Sequence, residues 1–301
     1  MSPAAPVALH SADVVSVLTL NLWHDSGPYP ARRALVREWI EELDPDVIGF
    51  QEALRGPSFD QVRELLDGMA YHVEYAGAST FWRDPKHAPG TRDVTEFGNA
   101  IAARWPITER DVLPLPDTGD GETRSALSVT VSAPQPVGPF SVTCTHLHWK
   151  FHQSEVRERQ VVAACDRVLA RRRRGGFPPL LLGDFNAEPE SAEIRYVTGL
   201  QSLRGRSVAL LDAWRAAGKG GNGITWSNAN DYARLNLEPD RRIDYVFAGF
   251  PRRDGIGQFT DCRVVCNEPK GGVWPSDHFG VYAELRAAPL PELLEPFDDA
   301  A

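Results

Sequence analysis

The sequence predicts an α/β fold in which two β-sheets pack face to face with helices on the outside. Three observations carry that expectation. Apolar, β-branched runs of strand length outnumber helical patterns, the helices fall between them, and polar residues recur where the apolar runs end. The 301 residues, 42% hydrophobic and 24% charged, have ordinary globular composition and suffice for a sizeable core.

Val14 to Leu22 reads as a buried strand whose period puts Val15, Val17, Thr19 and Asn21 on one face, so that Asn21 closes it. Ala31 to Leu43 carries Leu35, Val36, Trp39, Ile40 and Leu43 at helical spacing. Pro45 stops that helix before a second strand, Val47 to Glu52, with the polar tip Gln51-Glu52. Phe59, Val62, Leu65, Leu66 and Met69 predict another helix, and a strand follows near Tyr71 to Tyr75. Ala76 to Glu96, with Gly, Pro and mixed charge, reads as a long loop of the kind that carries function. Within it, Arg83, Lys86, His87 and Arg92 beside Phe81-Trp82 are candidates for substrate contact.

Strand patterns resume at Asn99 to Ala103, Ala126 to Ser132 and Phe140 to Leu147, and Gln153 to Arg172 reads as a helix. Leu180 to Leu182 is a short buried strand that runs into Gly183-Asp184-Phe185-Asn186. The last third has helical stretches near Ala192 to Leu200 and Leu211 to Ala217, then strands at Arg242 to Ala248, Arg263 to Cys266 and Gly280 to Leu285. No linker or repeat interrupts this order. One domain over residues 14–286 is expected, between a short N-terminal segment (1–13) and an acidic C-terminal tail (287–301).

Forty-one Asp and Glu against 32 Lys and Arg give a net charge of −9, the wrong overall sign for a protein that coats DNA or an anionic membrane. A nucleic-acid partner is not favoured on this ground, although a local basic cleft stays open. The run Arg171 to Arg174 ends a helix, where positive charge suits the dipole, and reads as a solvated face. Cys144, Cys165, Cys262 and Cys266 match neither a disulfide framework nor a paired zinc motif, so reduced thiols are expected. With no signal-peptide pattern and no apolar run long enough to cross a bilayer, the chain is expected to be cytoplasmic, and a monomer is the separate expectation for its assembly.

Five polar signatures sit at strand ends or in the turns after them: Thr19-Leu20-Asn21, Gln51-Glu52, Thr145-His146-Leu147, Gly183-Asp184-Phe185-Asn186 and Ser276-Asp277-His278. Singly, each has a bland reading. Asn21 and Asn186 fit turn or cap positions, Asp184 an Asx turn, and His146 a hydrogen-bonded inner histidine. Together, and in order with Gly98-Asn99-Ala100-Ile101, Arg157 to Gln160 and Arg242-Ile243-Asp244-Tyr245-Val246, they resemble the endonuclease/exonuclease/phosphatase superfamily over about residues 14 to 286.

The resemblance implies a four-layer α/β sandwich that hydrolyses phosphate esters with a divalent metal, Mg²⁺ or else Mn²⁺. Position by position, it makes Glu52 a metal ligand with Asn21 assisting, and His278 the catalytic imidazole. Neighbouring strand residues point to opposite faces, so a carboxylate other than Asp277 is expected to orient His278. The family pattern offers Asp244, leaving Asp277 to the metal or the water. Asp184 would orient or deprotonate the attacking water, and Asn186, on the same side if the chain is extended, would donate to a phosphate oxygen. Whether Asp184 or His278 is the base stays open.

His146 matches the subset with histidine there and would contact the phosphate or leaving oxygen, with Glu96 to orient it. Arg124 would clamp a phosphate, and Trp226, in Thr225-Trp226-Ser227 ahead of Asn230, would wall the site. His148 and His152 read as peripheral. A small or lipid-like phosphoester is the favoured substrate, with a nuclease and a catalytically silent binding module as alternatives. Val273-Trp274 and Phe81-Trp82 are the only hints of an apolar membrane hairpin.

Overall fold

The computed structural model describes residues 13–83, 93–119 and 121–290. In chain order these form β1 (Val14–Asn21), α1 (Tyr29–Leu43), β2 (Val47–Gly56), β3 (Phe59–Asp60), α2 (Gln61–Leu65), β4 (His72–Arg83), β5 (Asp93–Ala103) and β6 (Ile107–Pro114). There follow β7 (Ser125–Ser132), β8 (Pro139–His146), α3 (Ser154–Ala170), β9 (Leu180–Asp184), α4 (Ala192–Val197), β10 (Leu211–Asp212) and α5 (Ala213–Ala217). The chain closes with α6 (Asp231–Arg234), β11 (Asp244–Ala248), β12 (Phe259–Val265) and β13 (Gly280–Arg286).

One sheet runs β12-β13-β1-β2-β5-β4 with β3 beside β2, and the other runs β10-β11-β9-β8-β7-β6. Both are mixed, β1–β2 and β8–β9 being parallel pairs. The sheets face each other across a core that takes Val15 and Val17 of β1, Val142 and Cys144 of β8, Leu180 and Leu182 of β9, and Val246 of β11. The alternate residues point outward. Leu18 and Leu20 lie under Val36 and Ile40 of α1, while Leu181, Tyr245 and Phe247 lie with Val161 and Cys165 of α3 and Ile194 of α4. Apolar residues on both faces of the same strands thus give the four layers that the sequence predicts. All four cysteines are buried free thiols.

Four local expectations are corrected. Ala76 to Glu96 is not a loop along its length: β4 and β5 pair antiparallel from His72–Ala103 out to Arg83–Asp93, and only residues 84–92 lie outside the described structure. Of the substrate-contact candidates there, Lys86, His87 and Arg92 fall outside the described residues, as do the side chains of Phe81, Trp82 and Arg83. The helix predicted from Phe59 begins as β3, and α2 starts only after Asp60, whose carboxylate caps it by accepting from Arg63 N at 3.1 Å. The stretch from Leu211 splits into β10 and α5, with Asp212 capping the latter. Finally, Trp274 is buried and stacks on Phe279, so Val273-Trp274 offers no apolar hairpin to a membrane. No helix among the described residues is long and apolar enough to cross one.

Candidate active site

Strand alternation delivers the site. In β1, β8, β9 and β11 the residues that face the core are every second one, and at one end of the sandwich that same face presents Asn21, His146, Asp184 and Asp244. There the apolar fill stops and a cavity of about 440 Å³ opens between the sheets, lined among others by Glu52, Arg124, His146, Asp184, Asn186, Trp226, Asp277 and His278. Asn21 and Asp244 stand buried directly behind this lining. Gly183, with φ +140, lets β9 pass against β8 just before Asp184: a Cβ there would stand 1.9 Å from Thr145 O.

Glu52 reaches the cavity by a different device. Alternation along β2 would send it outward with Ile48 and Phe50, but the β2–β5 register shifts between Phe50 and Ala53, and Glu52 takes a left-handed φ of 54°. The bulge re-aims the carboxylate into the pocket. Its Oε2 lies 3.2 Å from His24 Nδ1. Burial pushes its pKa up, but the imidazoles of His24 and His278 and the Asn21 amide outweigh this and hold it below the usual carboxylate range.

Two imidazoles flank Asp184. His278 Nδ1 donates to Asp244 Oδ2 at 2.9 Å, and its Nε2 lies 3.7 Å from Asp184 Oδ2. Burial works against the imidazolium, but Asp244 and then Asp184 overcome it and raise the His278 pKa well above its ordinary value. On the other side, Arg124 Nη1 donates to His146 Nδ1 at 2.9 Å. A guanidinium has no acceptor, so Nδ1 holds the lone pair and the proton sits on Nε2, 3.3 Å from Asp184 Oδ2. Burial, then Arg124, lower the His146 pKa well below its usual value. Asp184 also accepts from Asn21 Nδ2 at 3.1 Å and Asn186 N at 2.9 Å, while burial and the nearby Asp244 push its pKa up to about 7.

The donor set fits a divalent cation. Hard oxygen ligands are what Mg²⁺ and its relatives take, and Glu52 and Asp277 present two carboxylates to the same cavity. Asp277 is pushed up to about 7 by burial, and the negative charge of Glu52 works in the same direction, which is the unbalanced charge a cation would relieve. Asn21 behaves as a clamp here: its Nδ2 serves Asp184, its amide also bonds Glu52, and its Oδ1 accepts from Trp23 N at 2.9 Å. Among the described residues, ligand atoms of Asp184, Asp244 and His278 also lie within 4.8 Å of one another, although the His278–Asp244 hydrogen bond already engages two of them.

Several expectations about orientation change. Asp277 and His278 both line the cavity, because residues 276–278 precede β13 and are not held to its alternation. Ser276 Oγ instead ties this turn to Asn21 O at 2.7 Å, and Asn230 Nδ2 donates to the carbonyls of Ser276 and Asp277. Asn186 is not extended from Asp184: its φ is 49°, and its amide donates to Leu147 O at 3.2 Å. Glu96 does not orient His146. Phe97 of β5 faces the cavity and tilts against the His146 ring, so its neighbour Glu96 lies on the opposite face, near Gly77 and Tyr75.

Trp226 packs edge-on to His278, ring centroids 4.9 Å apart. Arg157 and Gln160 brace the turn after β8: Arg157 Nε donates to Glu193 Oε1 at 2.8 Å, and Gln160 Oε1 accepts from His148 N. His24, Trp23, Phe97 and Arg241 line the cavity unannounced by any motif. For His24 the one usable signal is its place three residues past Asn21, in a loop whose carbonyls at Leu22, Trp23, His24 and Ser26 all accept from the buried guanidinium of Arg32.

Comparison with known proteins agrees with the fold. Structures of similar fold include TDP2 from D. rerio complexed with single strand DNA product (20% identity, 91% of this chain and 99% of that one, TM-score 0.69). Truncated TDP2 from Caenorhabditis elegans aligns at 20% identity over 91% and 98% of the two chains (TM-score 0.67). An endonuclease/exonuclease/phosphatase from Beutenbergia cavernae aligns at 24% identity over 91% and 72% (TM-score 0.65). No match was found among curated proteins. The Endonuclease/Exonuclease/phosphatase family, whose members are divalent-metal-dependent hydrolytic phosphoesterases, has a sequence profile that matches residues 18–278. A profile match that runs from β1 to the His278 turn takes in every side chain gathered at the cavity, and the chain belongs to the endonuclease/exonuclease/phosphatase family.

Proposed function

We propose that this chain hydrolyses phosphate esters by in-line attack of water, with Mg²⁺ as its cation and a small or lipid-like phosphoester as its substrate. The observation that carries the reading is Asp184 Oδ2, which faces the Nε2 atoms of two imidazoles held in opposite charge states. A carboxylate with a pKa near 7 is matched to accept a proton from water at neutral pH, so Asp184 is the base. His278, kept protonated by Asp244, has no lone pair to offer as a base and serves instead as fixed positive charge beside the phosphoryl oxygens. His146 presents an Nε2–H as a neutral donor to a phosphate or leaving-group oxygen, and Arg124 fixes that tautomer.

Glu52 and Asp277 would hold the cation, which supplies the charge that neutralises a phosphoryl oxygen. Asn186 and Trp226 bound the place of the phosphate and its substituent. The cavity volume of about 440 Å³ and the net charge of −9 favour a compact ester over a duplex. A nuclease acting on single-stranded ends is the second reading, favoured by the tryptophans Trp23, Trp149 and Trp226 in the lining and by the DNA product that one TDP2 structure carries.

A substrate panel tests both: bis-p-nitrophenyl phosphate, sugar phosphates, sphingomyelin vesicles and single-stranded oligonucleotides, each with Mg²⁺ and with EDTA. Turnover of a small or lipid ester is expected, abolished by EDTA and by Glu52→Ala in a protein with unchanged circular dichroism. Activity that persists in Glu52→Ala rejects the assignment, and turnover of oligonucleotides alone replaces the first substrate reading with the second.

A further inference from the structure

At the other end of the same strands the fold builds a second hollow. Asp184 pairs with Asp244 at the active-site end of β9 and β11, and Leu180 pairs with Ala248 at the far end, roughly 13 Å away at about 3.3 Å per residue. The segment entering β9 and the segment leaving β11 are fastened there by a bond from Gly249 N to Pro179 O of 2.9 Å. Gly257, at φ +86, packs so closely that a Cβ would stand 2.3 Å from Pro178 Cδ. Between these segments lies a cavity of about 210 Å³ lined by Arg172, Arg173, Arg252, Arg253 and Phe250.

Four arginines line this hollow, and their charge is only partly balanced by carboxylates. Arg171 and Arg173 share Glu109, the latter at 3.9 Å, and Arg252 meets Asp254 at 2.5 Å. Among the described residues, Arg172 of the lining has no carboxylate within ion-pair distance, while Arg253 already has an interaction partner. Phe250 stands beside them 58% exposed, a ring that no core requires. By itself the Arg171 to Arg174 run reads as a solvated face. The fold adds a second arginine pair from a distant part of the chain, a walled concavity and an uncovered aromatic.

Guanidinium forks match phosphate oxygens, and an exposed ring beside a positive groove is a stacking platform for a base. We propose that this hollow binds a nucleotide unit, its phosphate on the arginines and its base on Phe250, either free or as part of a single strand. The site is separate from the catalytic cavity and does not depend on which ester that cavity hydrolyses.

The test is fluorescence anisotropy of a labelled single-stranded oligothymidylate with the full chain in EDTA, over a salt series. Arg172→Gln with Arg173→Gln should weaken binding about tenfold at low salt and flatten the salt slope by roughly 0.7 for each phosphate that the arginines no longer neutralise. Phe250→Ser should weaken binding roughly tenfold with the slope unchanged, the signature of absent stacking. Hydrolysis of bis-p-nitrophenyl phosphate by all variants should stay at the wild-type rate. Displacement of the strand by thymidine 5′-monophosphate assigns the site to a free nucleotide, and displacement by unlabelled strand alone assigns it to a strand. Strand binding that is indifferent to both variants overturns the proposal, as does displacement by inorganic phosphate as effective as that by the mononucleotide.

Discussion

The two halves of the candidate active-site cavity use the same side chain to opposite ends. On one, His146 turns Nδ1 to the guanidinium of Arg124; on the other, His278 turns Nδ1 to the carboxylate of Asp244. Both rings are buried, and both direct Nε2 at Asp184 Oδ2. The difference lies only in what stands behind. A cation behind the ring makes a neutral donor, and an anion behind it makes a fixed positive charge. One carboxylate thus faces two imidazoles without either ring being able to replace the other.

The comparison breaks most severely where the anion is removed. Asp244→Asn keeps the size of the side chain but no longer holds the His278 imidazolium, and kcat for an activated phosphodiester should fall by about 10³- to 10⁴-fold with KM little changed. Retention of more than a tenth of the activity would show that the charge of His278 is not used.

A smaller effect is expected on the other side. Arg124→Met frees His146 Nδ1 and removes the neighbouring positive charge, so kcat should fall about 10²-fold. NMR titration of the His146 ring in metal-free protein should show its pKa moving up toward the ordinary value. An unmoved pKa would mean that burial alone sets it.

The weakest effect, on stability, sharpens the contrast by its sign. The raised pKa of His278 means that its charged form stabilises the fold below about pH 6.5, a contribution lost as pH rises through the folded value. The depressed pKa of His146 means that the fold excludes a proton which the unfolded chain takes up below about pH 6.5, so stability is lost as pH falls. In urea titrations with EDTA, the cost of His278→Asn should therefore shrink from mildly acidic to alkaline pH, while the cost of His146→Asn should grow. Slopes of the same sign would contradict the opposed charge states.

Much of this is legible in the sequence because strands end where chemistry begins. Asn21, Asp184 and Asp244 continue the core-facing period of their strands, which the sequence reads directly for Asn21, while Asp184 and Asp244 are singled out by the family resemblance. Partners from different strands are less accessible. Nothing local marks Arg124 as the neighbour of His146, and strand parity overturns Glu96 in that role, since Phe97 takes the inward position. The β4–β5 ribbon reads as a loop because Gly, Ser and Thr break its apolar pattern, and β6 is an edge strand whose Thr108, Glu109 and Arg110 are largely solvent-facing. The left-handed turn at Glu52 has no sequence signal, whereas asparagine tolerates that backbone region and Asn186 fits a turn by its type alone.

The bulge at Glu52 has an evolutionary consequence. An L-residue with a side chain is disfavoured in that backbone region by about 1–2 kcal/mol, a cost glycine escapes. Glycine at position 52 would relax the strand and abolish the carboxylate. A library screened only for heat resistance would therefore drift away from glutamate at this position, and with the role proposed for Glu52 the proteins recovered from such a screen would be robust and inert.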